Sequence, residues 1–187
     1  MTGVYQSRAS LTYSVGSNRN PTNETALEAV NAFAADLAAR FSPTVGCTRS
    51  WDNPDPTLFR VIIDNMMNLE VLFASYARTG NSTLVDIAVS HADRTLVNHV
   101  RPNGSSFHVV EYNATTGEVI GRVTAQGYSD NSTWSRGQAW GIYGFANSTS
   151  QDLLLWGGFG NFLNSVYAYQ KHELPGDLAQ DGDLLPG

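Results

Sequence analysis

Hydrophobic residues recur at helical spacing in several stretches of the chain. The longest such pattern places apolar side chains every three or four positions, at Phe59, Ile62, Ile63, Met66, Leu69, Phe73 and Tyr76. This spacing predicts a helix at about 57–78, with Asp55 and Pro56 placed to start it and Gly80 to end it.

Similar apolar stripes predict three further helices, at about 26–40, 83–99 and 132–146. Thr25 with Glu28, and Thr83 with Asp86, form capping-box patterns at the starts of two of them. Helices follow one another through short connections, and no parallel-strand signature separates them. The pattern therefore predicts an all-α fold of stacked, antiparallel helical hairpins.

One stretch has a different periodicity. Segments Ser106–Tyr112 and Glu118–Thr124 are rich in Val, Ile, Phe and Tyr, and Asn113–Gly117 separates them. Such a pattern predicts a short β-hairpin inserted among the helices, where it would line or cover a site. His108 lies in its first strand, either as a hydrogen-bonded structural residue or as part of that site.

Two polar residues interrupt the predicted helix at 57–78. Asp64 and Asn68 are four positions apart, so on an α-helix they share one face. A carboxylate among Ile, Met and Leu must be hydrogen-bonded or face a cavity, and partial burial would raise its pKa into a range that suits proton transfer. The alternative is that Asp64 caps or bridges to a neighbouring helix.

Aromatic and directional polar side chains are concentrated in a second block, at Gln126, Tyr128, Asp130, Trp134, Arg136, Gln138, Trp140 and Tyr143. Sugars are bound by such a combination, since flat rings cover their C–H faces and polar groups fix their hydroxyls. If a helix begins near Ser132, Arg136 and Trp140 share a face, and the Arg136 guanidinium could receive a carboxylate. The alternative is a helix packed in the core with Arg136 in a salt bridge.

Three strings carry a specific resemblance: VGCTRSWD at 45–52, IIDNMMNLE at 62–70 and WSRGQAWGIYGF at 134–145. They resemble the unsaturated glucuronyl hydrolases, family 88 of the glycoside hydrolases. The sister unsaturated rhamnogalacturonyl hydrolases are the alternative, although RGQAW favours the glucuronyl branch. The resemblance covers 20–146 and leaves 147–187 as a divergent, weakly structured tail.

The resemblance implies a partial (α/α)6 toroid and a reaction unlike ordinary glycoside hydrolysis. The substrate would be an oligosaccharide that ends in a 4,5-unsaturated uronic acid, and the enzyme would hydrate its vinyl ether. By position Asp64 would be the catalytic acid, and His108, Gln126, Arg136 and Trp140 would bind substrate. We add Trp134 to the binding residues as a neighbouring ring.

The resemblance also implies missing parts. It places a second family carboxylate at or just before Met1, and it makes 1–187 a single but incomplete domain. We therefore expect the chain on its own to be truncated and inactive. A non-catalytic sugar-binding remnant and a plain helical scaffold are the competing hypotheses.

The composition of the chain argues against several classes of binding partner. The 187 residues carry a net charge of −6, which argues against nucleic acid, and no apolar run reaches the length of a membrane span. The histidines show no metal-ligand spacing and the proposed chemistry requires no cofactor, so we predict neither a metal nor a cofactor. Composition does not fix the oligomeric state.

Localisation stays open between secreted and cytoplasmic. Six Asn-x-Ser/Thr sequons start at Asn23, Asn81, Asn103, Asn113, Asn131 and Asn147. This excess favours secretion. No signal peptide is recognisable at the start of the sequence, so the cytoplasmic alternative is kept.

Overall fold

The computed structural model of the chain describes residues 23–151 and 183–184. Its helices are α1 (Glu24–Ala38), a 3₁₀ helix (Ile63–Asn68), α2 (Leu69–Thr79), α3 (Ser82–His99) and α4 (Ser135–Gln151). Its strands are β1 (Phe41–Ser42), β2 (Cys47–Thr48), β3 (Leu58–Ile62), β4 (Val109–Asn113), β5 (Val119–Val123), β6 (Thr133–Trp134) and β7 (Asp183–Leu184).

Helical pairing is confirmed. Gly80 ends α2 in the left-handed conformation at φ 69°, and α3 follows after two residues, so α2 and α3 form an antiparallel helical hairpin. Helices α1, α2 and α3 pack on one another around a buried apolar cluster that includes Val30, Leu72 and Ala88. Burial of this shared core is the main force that holds the helices together.

The predicted caps, Thr25 and Thr83, were each wrong by two residues. Asn23 and Asn81 cap α1 and α3, and their side-chain oxygens accept 3.2 Å hydrogen bonds from the backbone N–H groups of Ala26 and Thr83. Asn is a stronger N-cap than Thr, so each helix starts earlier than the capping-box pattern indicated.

Four of the sequon asparagines have a local structural role. Besides Asn23 and Asn81, Asn103 accepts a 3.1 Å hydrogen bond from the backbone N–H of Ser105, and Asn113 accepts one of 2.8 Å from Thr115. Asx turns and helix caps therefore give a second physical reason for the Asn-x-Ser/Thr spacing. Glycosylation and secretion stay predictions.

The helix predicted at 57–78 was wrong in its first half. Leu58–Ile62 is a strand that pairs antiparallel with β4, which in turn pairs with β5, so the predicted hairpin belongs to a three-stranded sheet. Arg60 lies opposite Glu111, and their side chains form a 2.8 Å salt bridge. The fold is therefore helical as predicted, and a three-stranded β-sheet takes the place of the predicted two-stranded hairpin. The cause is that LFRVI satisfies the strand period as well as the helical one and is rich in β-formers.

The second half of that segment is a 3₁₀ helix followed by α2. In 3₁₀ winding, residues three apart are eclipsed, so Asn68 lies above Asn65 and donates a 3.1 Å hydrogen bond to it. The prediction that Asp64 and Asn68 share one face was therefore wrong. The tighter winding points Asp64 away from the two asparagines.

Two glycines let α4 approach the 3₁₀ helix closely. A Cβ at Gly144 would lie 2.7 Å from the backbone of Met66, and one at Gly137 would lie 3.0 Å from Ile63. Side chains at these positions would hold the two elements apart. The glycines of WSRGQAWGIYGF thus bring the start of α4 next to Asp64.

Most of the predicted divergent tail at 147–187 lies outside the described residues. Its first residues continue α4, and β7 pairs with β6. Among the helices in the described part of the chain, none has the length and apolarity to cross a membrane.

Candidate active site

Asp64 is a nearly buried carboxyl group at the start of the 3₁₀ helix, with 9% of the residue exposed. Burial raises its pKa to about 6, against the lowering effects of its own backbone N–H and the charge of Arg136. Its Oδ2 atom has no hydrogen-bond partner among the described residues. The group can therefore hold or release a proton close to neutral pH.

His108 faces Asp64 from the sheet. It directly precedes β4, and Thr124 directly follows β5, so the ends of the two paired strands bring the two residues together. The imidazole Nδ1 accepts a 3.2 Å hydrogen bond from the backbone N–H of Ala125, and it lies 3.2 Å from the Thr124 hydroxyl. A backbone N–H can only donate, so the neutral ring carries its hydrogen on Nε2.

The Nε2 atom of His108 lies 3.9 Å from Oδ2 of Asp64. Burial, followed by the charge of Arg136, lowers the pKa of His108 to about 4. Since the pKa of Asp64 is the higher of the two, His108 is neutral wherever Asp64 is ionised, and the two do not form an ion pair. A substrate or water oxygen could accept from Nε2–H and contact Oδ2 at once, because hydrogen bonds of about 2.8 Å to both fit a 3.9 Å separation.

Two tryptophans enclose the imidazole. The ring of Trp134 lies 4.3 Å from that of His108 at an angle of 34°, and Trp51 meets it edge-on at 6.3 Å. Trp134 is buried, so its ring holds His108 rather than offering an open face to a sugar. Sequence reasoning missed Trp51, although it lies in the VGCTRSWD string.

Arg136 occupies the first turn of α4 and is exposed. Its guanidinium lies 4.6 Å from the centre of the Trp134 ring and donates a 2.6 Å hydrogen bond to Oε1 of Gln126. A cation in the first turn opposes the helix dipole, which costs about 0.3–1 kcal/mol. Arg136 therefore does not stabilise α4 through the helix dipole.

The structure thus brings together Asp64, His108, Trp134, Arg136 and Gln126 through direct contacts or through the field of Arg136. Trp140 follows Arg136 by one helical turn and is half-buried. Its role, like the other substrate-binding roles, stays a prediction. In the described part of the chain no group of three or more His, Cys, Asp or Glu side chains could hold a metal ion.

Comparison with known proteins identifies relatives of this chain. No protein-family model matches the chain. An unsaturated glucuronyl hydrolase of Formosa agariphila is 45% identical over 134 residues, which are 71% of this chain and 34% of that protein. This chain is homologous to the unsaturated glucuronyl hydrolases. It spans about a third of the length of that relative.

Solved unsaturated glucuronyl hydrolases share its fold. The crystal structure of one specific for heparin matches with a TM-score of 0.79 and 34% identity, over 92% of this chain and 46% of that one. A Streptococcus agalactiae mutant complexed with dGlcA-GalNAc6S matches with a TM-score of 0.64 and 31% identity, over 94% of this chain and 41% of that one. The resemblance stated from the sequence is therefore confirmed.

Proposed function

We propose that this chain carries the proton donor and the anion-binding wall of a glycoside hydrolase that acts on oligosaccharides with a 4,5-unsaturated uronic acid at the non-reducing end. The observation that carries the proposal is the placement of Asp64. It is a nearly buried carboxyl with a pKa of about 6 that faces a neutral imidazole, and the charge of Arg136 acts on both groups. A complex of one structural relative with dGlcA-GalNAc6S supports this substrate class.

The chemistry is hydration of the vinyl ether. Asp64 transfers its proton to C4, and the positive charge that develops at C5 and the ring oxygen is stabilised by the resulting carboxylate. Water adds at C5 and returns one proton to Asp64. The C5 hemiketal then opens to a ketone, and the hemiacetal left at C1 expels the neighbouring sugar as its alcohol.

His108 and Arg136 complement the acid. His108 offers a neutral Nε2–H that can hold a substrate hydroxyl or the attacking water beside Asp64. Arg136, fixed by Gln126 and Trp134, offers paired N–H donors to the uronate carboxylate. Trp140, one turn later, can cover the C–H face of the next sugar.

We also propose that the described helices are one part of an (α/α)6 toroid. Support comes from the helical hairpin of α2 and α3 and from the structural relatives, of which this chain matches less than half. The described site would then lie among the inner helices of that toroid.

The proposal can be tested by separating binding from turnover. We expect the chain to bind an unsaturated glucuronyl disaccharide, with Asp64→Asn binding as wild type does and Arg136→Gln binding more weakly, by calorimetry. Failure of the wild type to bind would contradict the proposed function. Turnover by the 187-residue chain itself would show that the expectation of inactivity is wrong.

Turnover can be followed in a chimera. Residues 23–151 would replace the matching segment of the Formosa agariphila relative, and loss of the ultraviolet absorbance of the 4,5 double bond would report hydration. Asp64→Asn should abolish it, and Asp86→Asn, which removes an exposed carboxylate of α3, should not. Binding without turnover in every active-site-intact form would instead support the sugar-binding remnant.

A further inference from the structure

The 3₁₀ helix that carries Asp64 is unusual in its length and its burial. It runs for six residues, and all six are buried. Most 3₁₀ runs stop after about three or four residues because their hydrogen bonds are poorer than those of an α-helix. Since α2 follows directly, continuing the α-helix backwards is the obvious competing conformation.

The winding decides where Asp64 points. A 3₁₀ helix turns about 120° per residue and an α-helix about 100°. Over the five steps from Leu69 back to Asp64, the difference amounts to about 100°. An α-helical start would therefore turn the carboxyl by about a quarter-turn and move it away from His108.

A buried chain of hydrogen bonds holds the 3₁₀ helix through Asn65 and Asn68, which lie about 120° from Asp64 around the helix axis. Asn68 donates to Asn65 at 3.1 Å, and Asn65 donates to the backbone carbonyl and hydroxyl of Thr48 at 3.1 and 3.3 Å. The backbone N–H of Thr48 in turn donates to Nδ1 of His91 at 3.1 Å. The helix is thus tied through β2 to α3.

His91 suits the end of this chain. It is fully buried, and burial lowers its pKa to about 3, so the ring stays neutral and keeps a lone pair on Nδ1. The Thr48 hydroxyl lies 3.2 Å from the same nitrogen. Loss of any one link leaves a buried polar group without its partner, which opposes rearrangement of the segment.

We propose that Asn65 is a positioning residue, whose side chain, held by Thr48 and Asn68, fixes the 3₁₀ winding and thereby aims Asp64 at His108. The catalytic value of this role rests on the proposed function, whereas the orientation of Asp64 is a property of the protein without substrate. Asn65 acts through Asp64 and does not itself contact substrate.

The test measures the position of Asp64 without requiring turnover. In the 187-residue chain with 13C-labelled aspartate, the Asp64 carboxyl is titrated by NMR and assigned by Asp64→Asn. We expect Asn65→Leu, which keeps the shape and removes all three side-chain hydrogen bonds, to lower the pKa of Asp64 from about 6 towards 3.8 as the group leaves its pocket. In forms with turnover, kcat should fall about a hundredfold with KM little changed.

Three matched variants complete the experiment. Thr48→Val removes the hydrogen bond to the hydroxyl and leaves the one to the backbone carbonyl, so it should shift the Asp64 titration in the same direction but less than Asn65→Leu does. Thr48→Ser, which restores the hydroxyl, should return it. Ser75→Ala, on α2, removes a partly buried 2.8 Å hydrogen bond to Asn31 of α1 and should lower stability without moving the titration.

Folded Asn65→Leu with an unchanged Asp64 titration would overturn the proposal. If Asn65→Leu does not fold, Thr48→Val decides, and an unchanged titration in that variant overturns it equally. Failure of the wild type to bind the unsaturated disaccharide, together with the expected titration shifts, would contradict the proposed function and leave the positioning role established.

Discussion

Oδ2 of Asp64 and Nε2 of His108 lie 3.9 Å apart, and burial moves their pKa values in opposite directions, to about 6 and about 4. Burial disfavours whichever form is charged, so it favours the neutral acid and the neutral imidazole together. The pair therefore stays free of net charge between these two values. In this pH range an anionic substrate would meet protonated Asp64 as a proton donor, and no ion pair between Asp64 and His108 would compete with it.

Asp64→Asn should stabilise the folded chain at neutral pH. Because the folded pKa of about 6 exceeds the ordinary 3.8, the stability linked to protonated Asp64 is present at low pH and lost as pH rises through 6. The advantage of the variant should reach about 3 kcal/mol at pH 7.5 and be about 1 kcal/mol smaller at pH 5. Urea unfolding at the two pH values checks this, and an equal effect at both would contradict it.

Acid should destabilise the chain through its buried histidines. Burial lowers the pKa values of His91, His99 and His108 from 6.5 to about 3, 4 and 4. The unfolded chain therefore binds more protons below pH 6.5, and stability falls from there towards pH 4. This effect opposes that of Asp64 and exceeds it, because three groups contribute.

Two substitutions isolate the histidine effect. His91→Asn keeps an acceptor near Nδ1 for Thr48, and His99→Gln keeps a donor near Nε2 for the 3.0 Å hydrogen bond to the carbonyl oxygen of Val61. Each substitution should lower the pH midpoint of acid unfolding, followed by circular dichroism. The stability of each variant at pH 7.5 is measured as the reference. An unchanged midpoint in both would mean that these histidines do not drive acid unfolding.

Arg136→Gln should raise the pKa values of both Asp64 and His108, since the positive charge of Arg136 lowers both. Opening the site to water would instead lower the pKa of Asp64 and raise that of His108. NMR titration of the two groups thus distinguishes a loss of charge from a loss of burial. Arg136→Lys, which retains the charge, is the control and should leave both values nearly unchanged.

Gly144→Ala should destabilise the chain by about 1–3 kcal/mol, although alanine is the better helix former. The added Cβ would lie 2.7 Å from the backbone of Met66, which cannot move aside as a flexible side chain could. Ala139→Gly, at an exposed position of the same helix, should cost only about 1 kcal/mol of helix propensity. Thermal and urea unfolding compare the two, and a Gly144→Ala variant as stable as wild type would refute the close contact.

Local signals were sufficient for part of this structure. The helices near 26–40 and 83–99 and the hairpin at 106–124 follow from periodicity and turn residues that lie close together in sequence. The strand Leu58–Ile62 could not be predicted in the same way, because its apolar positions fit two periods and its partner β4 is about fifty residues away. The 3₁₀ winding was inaccessible for a related reason, since Thr48 holds Asn65 from another element.

The candidate site shows the same division. Asp64 and Arg136 were proposed because long, unusual strings surround them, and the raised pKa of Asp64 follows from its apolar neighbours. Gln126 was proposed from the aromatic and polar block that precedes Arg136 and from its position in the family resemblance. Trp51 and Thr124 were missed because a single aromatic or hydroxyl residue has no pattern of its own. Only the paired strand ends reveal that Thr124 touches His108.

The six-residue 3₁₀ helix also bears on protein engineering. Six steps of about 120° make two complete turns, so the backbone leaves the segment in the phase in which it entered. The orientation of Asp64 therefore depends on both the 3₁₀ helix and strand β2, which holds it. Grafting the string IIDNMMNLE alone onto another helical scaffold would transfer Asp64 without the contacts that orient its side chain. A graft that also includes CT at 47–48 would keep the hydrogen bonds between Asn65 and Thr48.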